Sequence, residues 1–174
     1  TEDMYIPYDA ANPFGLADIK EAANDIASRG YDSGYWWLYK HLMYEDERNK
    51  TNARVKVGAA YHDVQILGLR QDKLSTPTDG RTYAGLTFGW RDIYSMQTMN
   101  AANPAGVGSL GWSYPQPLRT YLRGEFTASL PAAVRQSIMT VAKSQQLAKG
   151  GLQRSAETVF LPSMYEVFGT AFAD

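Results

Sequence analysis

The stretch ARVKVGAAYHDVQILGL, residues 53–69, decides the fold class. Val55 and Val57 alternate with Arg54 and Lys56, a period of two that belongs to a half-buried strand. Gly58 to His62 is expected to turn the chain, and Val64, Ile66 and Leu67-Gly68-Leu69 supply the returning strand. Residues 53–69 therefore read as a β-hairpin.

Upstream of that hairpin the apolar period is 3.6. Leu16, Ile19, Ala23 and Ile26 fall on one helix face, Asn12-Pro13 favours an extended entry, and Gly30 is placed to stop the helix. A second helix is expected over Tyr35 to Arg48, with Ser33 as its cap and Trp36, Tyr39 and Met43 as its stripe. Glu45-Asp46-Glu47 opposes the helix dipole, which favours an end near Tyr44.

Downstream, Gln71 to Thr82 is polar, with Pro77 and Asp79-Gly80 as turn signals. Tyr83 to Phe88 reads as a short buried strand, and Trp90, Ile93 and Met96 or Gln97 suggest a short helix. Asn100 to Gly111 is a loose Gly/Pro stretch. Leu118, Tyr121, Leu122 and Phe126 predict a helix, and Pro131 opens another whose apolar face is Val134, Ile138 and Val141. Lys143 to Glu157, with Gly150-Gly151 at its middle, reads as a mobile loop. Thr158 to Leu161 predicts a strand, and Ser163-Met164-Tyr165-Glu166 a capping box before a helix ending at Gly169. The order predicts an α+β fold: residues 1–50 as an aromatic-rich helical N-terminal arm, and residues 51–174 as a small mixed domain with a β-hairpin and packed helices.

Composition narrows function mainly by exclusion. The 174 residues carry 17 Lys+Arg against 18 Asp+Glu, so the general electrostatic footprint of a nucleic-acid binder is missing. A chain of this length buries roughly 70% of its unfolded surface and needs no metal or disulfide staple. With no Cys and only two His, thiolate zinc sites, cysteine nucleophiles and most His-based constellations are excluded. No apolar run approaches a membrane span. Thr1-Glu2-Asp3-Met4-Tyr5 lacks a basic n-region and an apolar h-region, so no signal peptide is read and cytoplasmic synthesis is expected.

Catalytic motifs are sparse. His62-Asp63, the one adjacent His/carboxylate pair, falls at the expected hairpin turn and reads as a solvated turn pair. His41 reads as a partly buried packing residue. Gly106, Gly108 and Gly111 match G-x-G-x-x-G spacing, yet no strand precedes them and Trp112-Ser113-Tyr114-Pro115 cannot open a helix cleanly. Carboxylate pairs such as Asp46/Glu47 and Glu2/Asp3 read as solvated faces. No catalytic residue, cofactor or metal ligand is expected.

The densest feature is Tyr35-Trp36-Trp37-Leu38-Tyr39. Four aromatics in five residues cannot share one helix face, so the helix is either sandwiched within a core or presents an interface. Tyr5 and Tyr8, beside Pro7 and Pro13, extend that aromatic segment. Tyr5, Tyr8, Tyr35, Trp36, Trp37 and Tyr39 are thus expected interaction residues.

Residues 53–169 resemble an uncharacterised domain family found in phage structural proteins and in surface proteins of anaerobic, largely gut-associated bacteria. The resemblance rests on Gly111-Trp112, Leu118-Arg119, Leu130-Pro131, Ile138, Val141, Lys143, Phe160-Leu161 and Glu166-Val167-Phe168-Gly169. It covers about two thirds of the chain. Relatives commonly continue with a second half that this sequence, stopping at Asp174, does not show, which fits either a short variant or a remainder not included. The resemblance adds Trp112 to the expected interaction residues and implies a non-enzymatic virion role, as a capsid-decorating or tail-associated subunit made in the bacterial host cytoplasm. In that reading residues 100–111 and 143–157 face outward, and the partners are other virion subunits or copies of the chain, with no nucleic acid and no membrane insertion. A receptor- or glycan-binding module, with the bacterial cell surface as its location, is the alternative; it requires Trp36, Trp37, Trp90 and Trp112 to lie exposed together. A hydrolase with a dispersed site is a third reading, favoured by a cleft of convergent carboxylates.

Overall fold

The computed structural model describes residues 2–47, 53–92, 94–97, 117–146 and 150–161. Among the described residues, nine strands and a set of helices make the α+β fold expected from the alternation of periods. Strands β1 (Met4–Ile6) and β2 (Phe14–Gly15) open the chain, followed by α1 (Leu16–Arg29) and α2 (Trp36–Glu47). Then come β3 (Ala53–Val57), β4 (Ala60–Leu69), β5 (Lys73–Thr78), β6 (Arg81–Tyr83) and β7 (Leu86–Trp90). Helix α3 (Pro117–Tyr121) runs through a π-helical turn at Leu122–Phe126 into α4 (Thr127–Ser129), and α5 is Ala132–Ser137. Strands β8 (Val141–Gln146) and β9 (Leu152–Glu157) complete the described chain.

The first sheet has the order β2-β1-β3-β4-β7 and is antiparallel throughout. Its hairpin β3–β4 is the one the valine alternation predicted, but the turn is tighter than Gly58 to His62. Val57 pairs with Ala60, and only Gly58 and Ala59 lie between, with Gly58 at φ +63°. A glycine at the first central position suits a two-residue hairpin loop. His62 therefore lies within β4 opposite Val55, not in a turn.

Alternation sorts the two faces of this sheet. Met4, Ile6, Ala53, Val55, Val64 and Ile66 are buried on one side beneath the helices. Their partners there are Ile19, Ala22 and Ile26 of α1, Trp36, Tyr39 and Leu42 of α2, and Leu122, Phe126, Leu130 and Val134 further on, all in one core. The boundary expected at residue 50 does not divide the packing: β1 lies between β2 and β3, and the helices of the first fifty residues cover strands of the remainder.

Both early helices form as their stripes predict. Gly30 ends α1 at φ +56°, its N–H bonding the Ile26 carbonyl. Ser33 caps the next helix through Oγ, which accepts the Tyr35 N–H at 3.1 Å while its own hydroxyl donates to Asp25 at 2.5 Å. Helix α2 continues to Glu47, past the stop expected near Tyr44. Gly85 marks the tightest contact between α1 and the strands: a β-carbon there would lie 1.8 Å from the Ala23 carbonyl oxygen.

The second sheet, β6-β5-β8-β9, corrects several expectations. The polar stretch Gln71 to Thr82 is largely the β5–β6 hairpin, turned at the expected Asp79-Gly80 with φ +51° and +74°, while Pro77 lies within β5 and not at a turn. Lys143 to Glu157 is not a loop, since β8 and β9 pair from Val141↔Glu157 to Gln146↔Leu152. Val141 is a strand residue: the helix from Pro131 stops at Ser137, and Ile138 is already extended at ψ 127°. Thr158 to Leu161 is irregular, not a strand, and residues 91, 92 and 94–97 form no helix, since Trp90 closes β7. Ile93, the loose stretch 100–111 and the capping box at 163–166 lie outside the described residues.

Two buried carboxylates fasten this sheet to the rest. Glu157, fully buried at its side chain, accepts Arg119 Nη2 at 2.8 Å and Arg123 Nε at 3.1 Å, tying β9 to the helix above it. Asp72 accepts Lys143 Nζ at 2.9 Å and Thr87 Oγ1 at 2.5 Å, joining β8 to β7. Buried charges of this kind hold only because each is paired and hydrogen-bonded.

Candidate functional site

The period of α2 distributes its aromatics over different surroundings. Trp36 and Tyr39 are buried in the core, and Tyr31 packs on the Trp36 ring at 4.5 Å. Trp37 points the other way and is 68% exposed. Four and seven residues on, His41 and Tyr44 share its helix face. Both are exposed, Tyr44 at 48%, so His41 is a surface residue and not the packing residue expected. Lys40 Nζ sits 5.4 Å above the Tyr44 ring.

A second aromatic group faces α1. Phe14, Asp18, Glu21, Tyr35, Leu38 and Tyr39 line a cleft of about 130 Å³ between the two helices. Phe14 stacks on Tyr8 at 5.1 Å and on Tyr39 at 6.3 Å, and Tyr35 meets Tyr39 edge-on at 6.5 Å. Asp18 and Glu21 are three apart on α1, which aims both at this opening. Asp18 Oδ2 accepts the Gly15 N–H at 2.9 Å, and Glu21 Oε1 accepts the Tyr35 hydroxyl at 2.8 Å. The Tyr35 phenol is pushed up from its ordinary value, first by that hydrogen bond and then by burial and the Glu21 charge. Burial raises the Tyr39 phenol further, with Asp18 adding to it. Both carboxylates are exposed at the cleft rim.

The expected interaction residues are thus not one surface. Tyr35 and Tyr39 line the cleft with Tyr8 beside it, Trp36 is in the core, and Trp37 faces solvent. Tyr5 lies on the outward face of the sheet, edge-on to Tyr61 at 5.4 Å and bonded by Arg54 at 3.3 Å. Trp112 lies outside the described residues. Trp90 packs inside against Phe126 at 5.3 Å, so Trp36, Trp37 and Trp90 make no shared exposed platform. His62 is no solvated turn residue: its ring meets Trp90 at a tilt, 5.4 Å away, and Tyr94 edge-on at 5.3 Å.

Sequence reasoning missed Asp18 and Glu21. Their i, i+3 spacing opposite an aromatic helix was visible, but only the packing of α1 on α2 gives it meaning. Among the described residues there is no group of three or more potential metal ligands, and no helix is long and apolar enough to cross a membrane. Comparison with protein-family models, curated proteins and solved structures finds nothing that matches this chain.

Proposed function

We propose that this chain is a non-catalytic structural subunit of a phage virion, working through protein–protein contact made by the outward face of α2. The observation that carries the contact surface is the 68% exposure of Trp37 on one stripe with His41 and Tyr44. A folded chain gains nothing by leaving an indole in water, whereas tryptophan and tyrosine dominate the anchors of protein interfaces. The virion assignment rests on the resemblance of residues 53–169, and the occupant of the stripe is a neighbouring subunit of the particle.

The test is co-sedimentation of the purified chain with particles stripped of it, compared with Trp37→Ala/Tyr44→Ala. Retention of the wild type and at least tenfold weaker retention of the double variant, at unchanged melting temperature, is expected. Equal retention of both, or of neither, refutes the proposal.

A further inference from the structure

The α1–α2 cleft is built for a different ligand from the stripe on the far side of α2. Its walls are the rings of Phe14, Tyr35 and Tyr39, and its rim carries Asp18 and Glu21. Each carboxylate spends one described hydrogen bond on this chain, and neither has an ion-pair partner among the described residues. Tyr39 is 2% exposed, so its ring gives the cleft a dry floor. Aromatic faces present negative charge to whatever lies over them, so rings and carboxylates act in the same sense.

We infer that this cleft binds an organic cation, an alkylguanidinium or alkylammonium group, with its charge between Asp18 and Glu21 and its carbons against Phe14, Tyr35 and Tyr39. The size agrees: about 130 Å³ is close to the cavity of about 150 Å³ that accepts one benzene ring. A guanidinium with its adjoining methylenes fits such a space, and a nucleotide or an oligosaccharide does not. This chemistry is supplied either by an arginine or lysine side chain of a protein or by a free small amine. The inference is independent of the assembly proposal.

The experiment titrates the full chain, followed by NMR of tyrosine ring signals, with N-acetyl-arginine amide and with tetramethylammonium, using sodium chloride at matched ionic strength. N-acetylglucosamine is the neutral control. Saturable shifts confined to Tyr35 and Tyr39 are expected with a cation and not with sodium chloride or the sugar. Stronger binding of the arginine amide identifies a protein side chain as the source, and stronger binding of tetramethylammonium identifies a free quaternary amine. Asp18→Asn/Glu21→Gln keeps an oxygen for the Gly15 N–H and for the Tyr35 hydroxyl, so the fold survives, and its affinity falls about tenfold or more. Trp37→Ala leaves the titration unchanged, which separates this site from the assembly stripe. No saturable shift with either cation, an unaltered affinity in the double variant, or binding of the sugar in place of the cations overturns the inference.

Discussion

Replacing Gly85 with alanine tests whether α1 rests directly on the strand connection. The new β-carbon falls 1.8 Å from the Ala23 carbonyl oxygen, 2.5 Å from its carbon and 2.8 Å from its α-carbon. All three are backbone atoms, so no rotamer change relieves the overlap. Ordinary contact begins near 3.4 Å, and 3.4 − 1.8 leaves 1.6 Å to be found by moving the helix or the strand. The helix is held by Ile19, Ala22 and Ile26, each no more than 3% exposed, so that shift opens the core. Overpacking of this kind costs about 3 kcal/mol. For a chain of this size, that lowers the melting temperature by about 6–12 °C. Thermal and urea unfolding followed by circular dichroism measure it. Gly89→Ala is the internal comparison: its β-carbon meets only the Leu67 side chain, nearest atom 2.5 Å, which can rotate away at a cost of about 1 kcal/mol. Adding Ala23→Gly to Gly85→Ala restores nothing, because the opposing atoms remain. A Gly85→Ala protein melting within about 2 °C of wild type, or no worse than Gly89→Ala, refutes the reasoning.

Three further outcomes are expected. Glu157→Ala removes the acceptor of Arg119, whose side chain is only 17% exposed, and destabilises by about 3 kcal/mol in urea unfolding; Arg123→Ala, at a half-exposed side chain, costs about 1 kcal/mol or less. Trp37→Ala/Tyr44→Ala stays within about 0.5 kcal/mol of wild-type stability, because both rings are exposed on the folded chain. Tyr39 has a folded-state pKa above its unfolded value of 10.0, so its contribution is complete below pH 10 and is lost as pH rises beyond it. Unfolding free energies from urea titrations through that range fall with a slope of about 1.4 kcal/mol per pH unit from this residue, and Tyr39→Phe removes that share.

The elements legible in the sequence are those with one buried face. Val55, Val64 and Ile66 alternate because one side of β3–β4 meets the helices, and Ile19 and Ile26 repeat at helical spacing for the same reason. Strands β5, β8 and β9 are illegible because they bury little: β5 buries Leu74 alone, and β9 buries only Glu157 while leaving Leu152 exposed, against the usual alternation. A period of two is visible only where one face is dry. Spacing misled at Val141, which continues the step from Val134 and Ile138 although the chain has left the helix. It misled again at Trp90, whose ring is placed by Phe126 and not by a helix face. The aromatic run at 35–39 announced that some of its rings face outward. It could not announce Asp18 and Glu21, seventeen residues or so upstream, because their meeting with Tyr35 and Tyr39 is a property of two packed helices.

Among the described contacts of the β8–β9 hairpin with the rest of the molecule are three ion pairs. Its one register pair with β5 is Leu74↔Val141, supported by the Ser75 amide on Thr140, and neither Leu74 nor Val141 belongs to the main core. Its other fastenings are Lys143 on Asp72 and Glu157 beneath Arg119 and Arg123. Ion pairs as buried as these are screened little by salt, and removing one partner leaves its counterpart uncompensated in a dry surrounding. Amide hydrogen exchange in β8 and β9 is therefore sensitive to the loss of a single charged side chain, whereas protection in α1 and β4 rests on apolar packing. In that sense the molecule has a hatch whose latch is electrostatic.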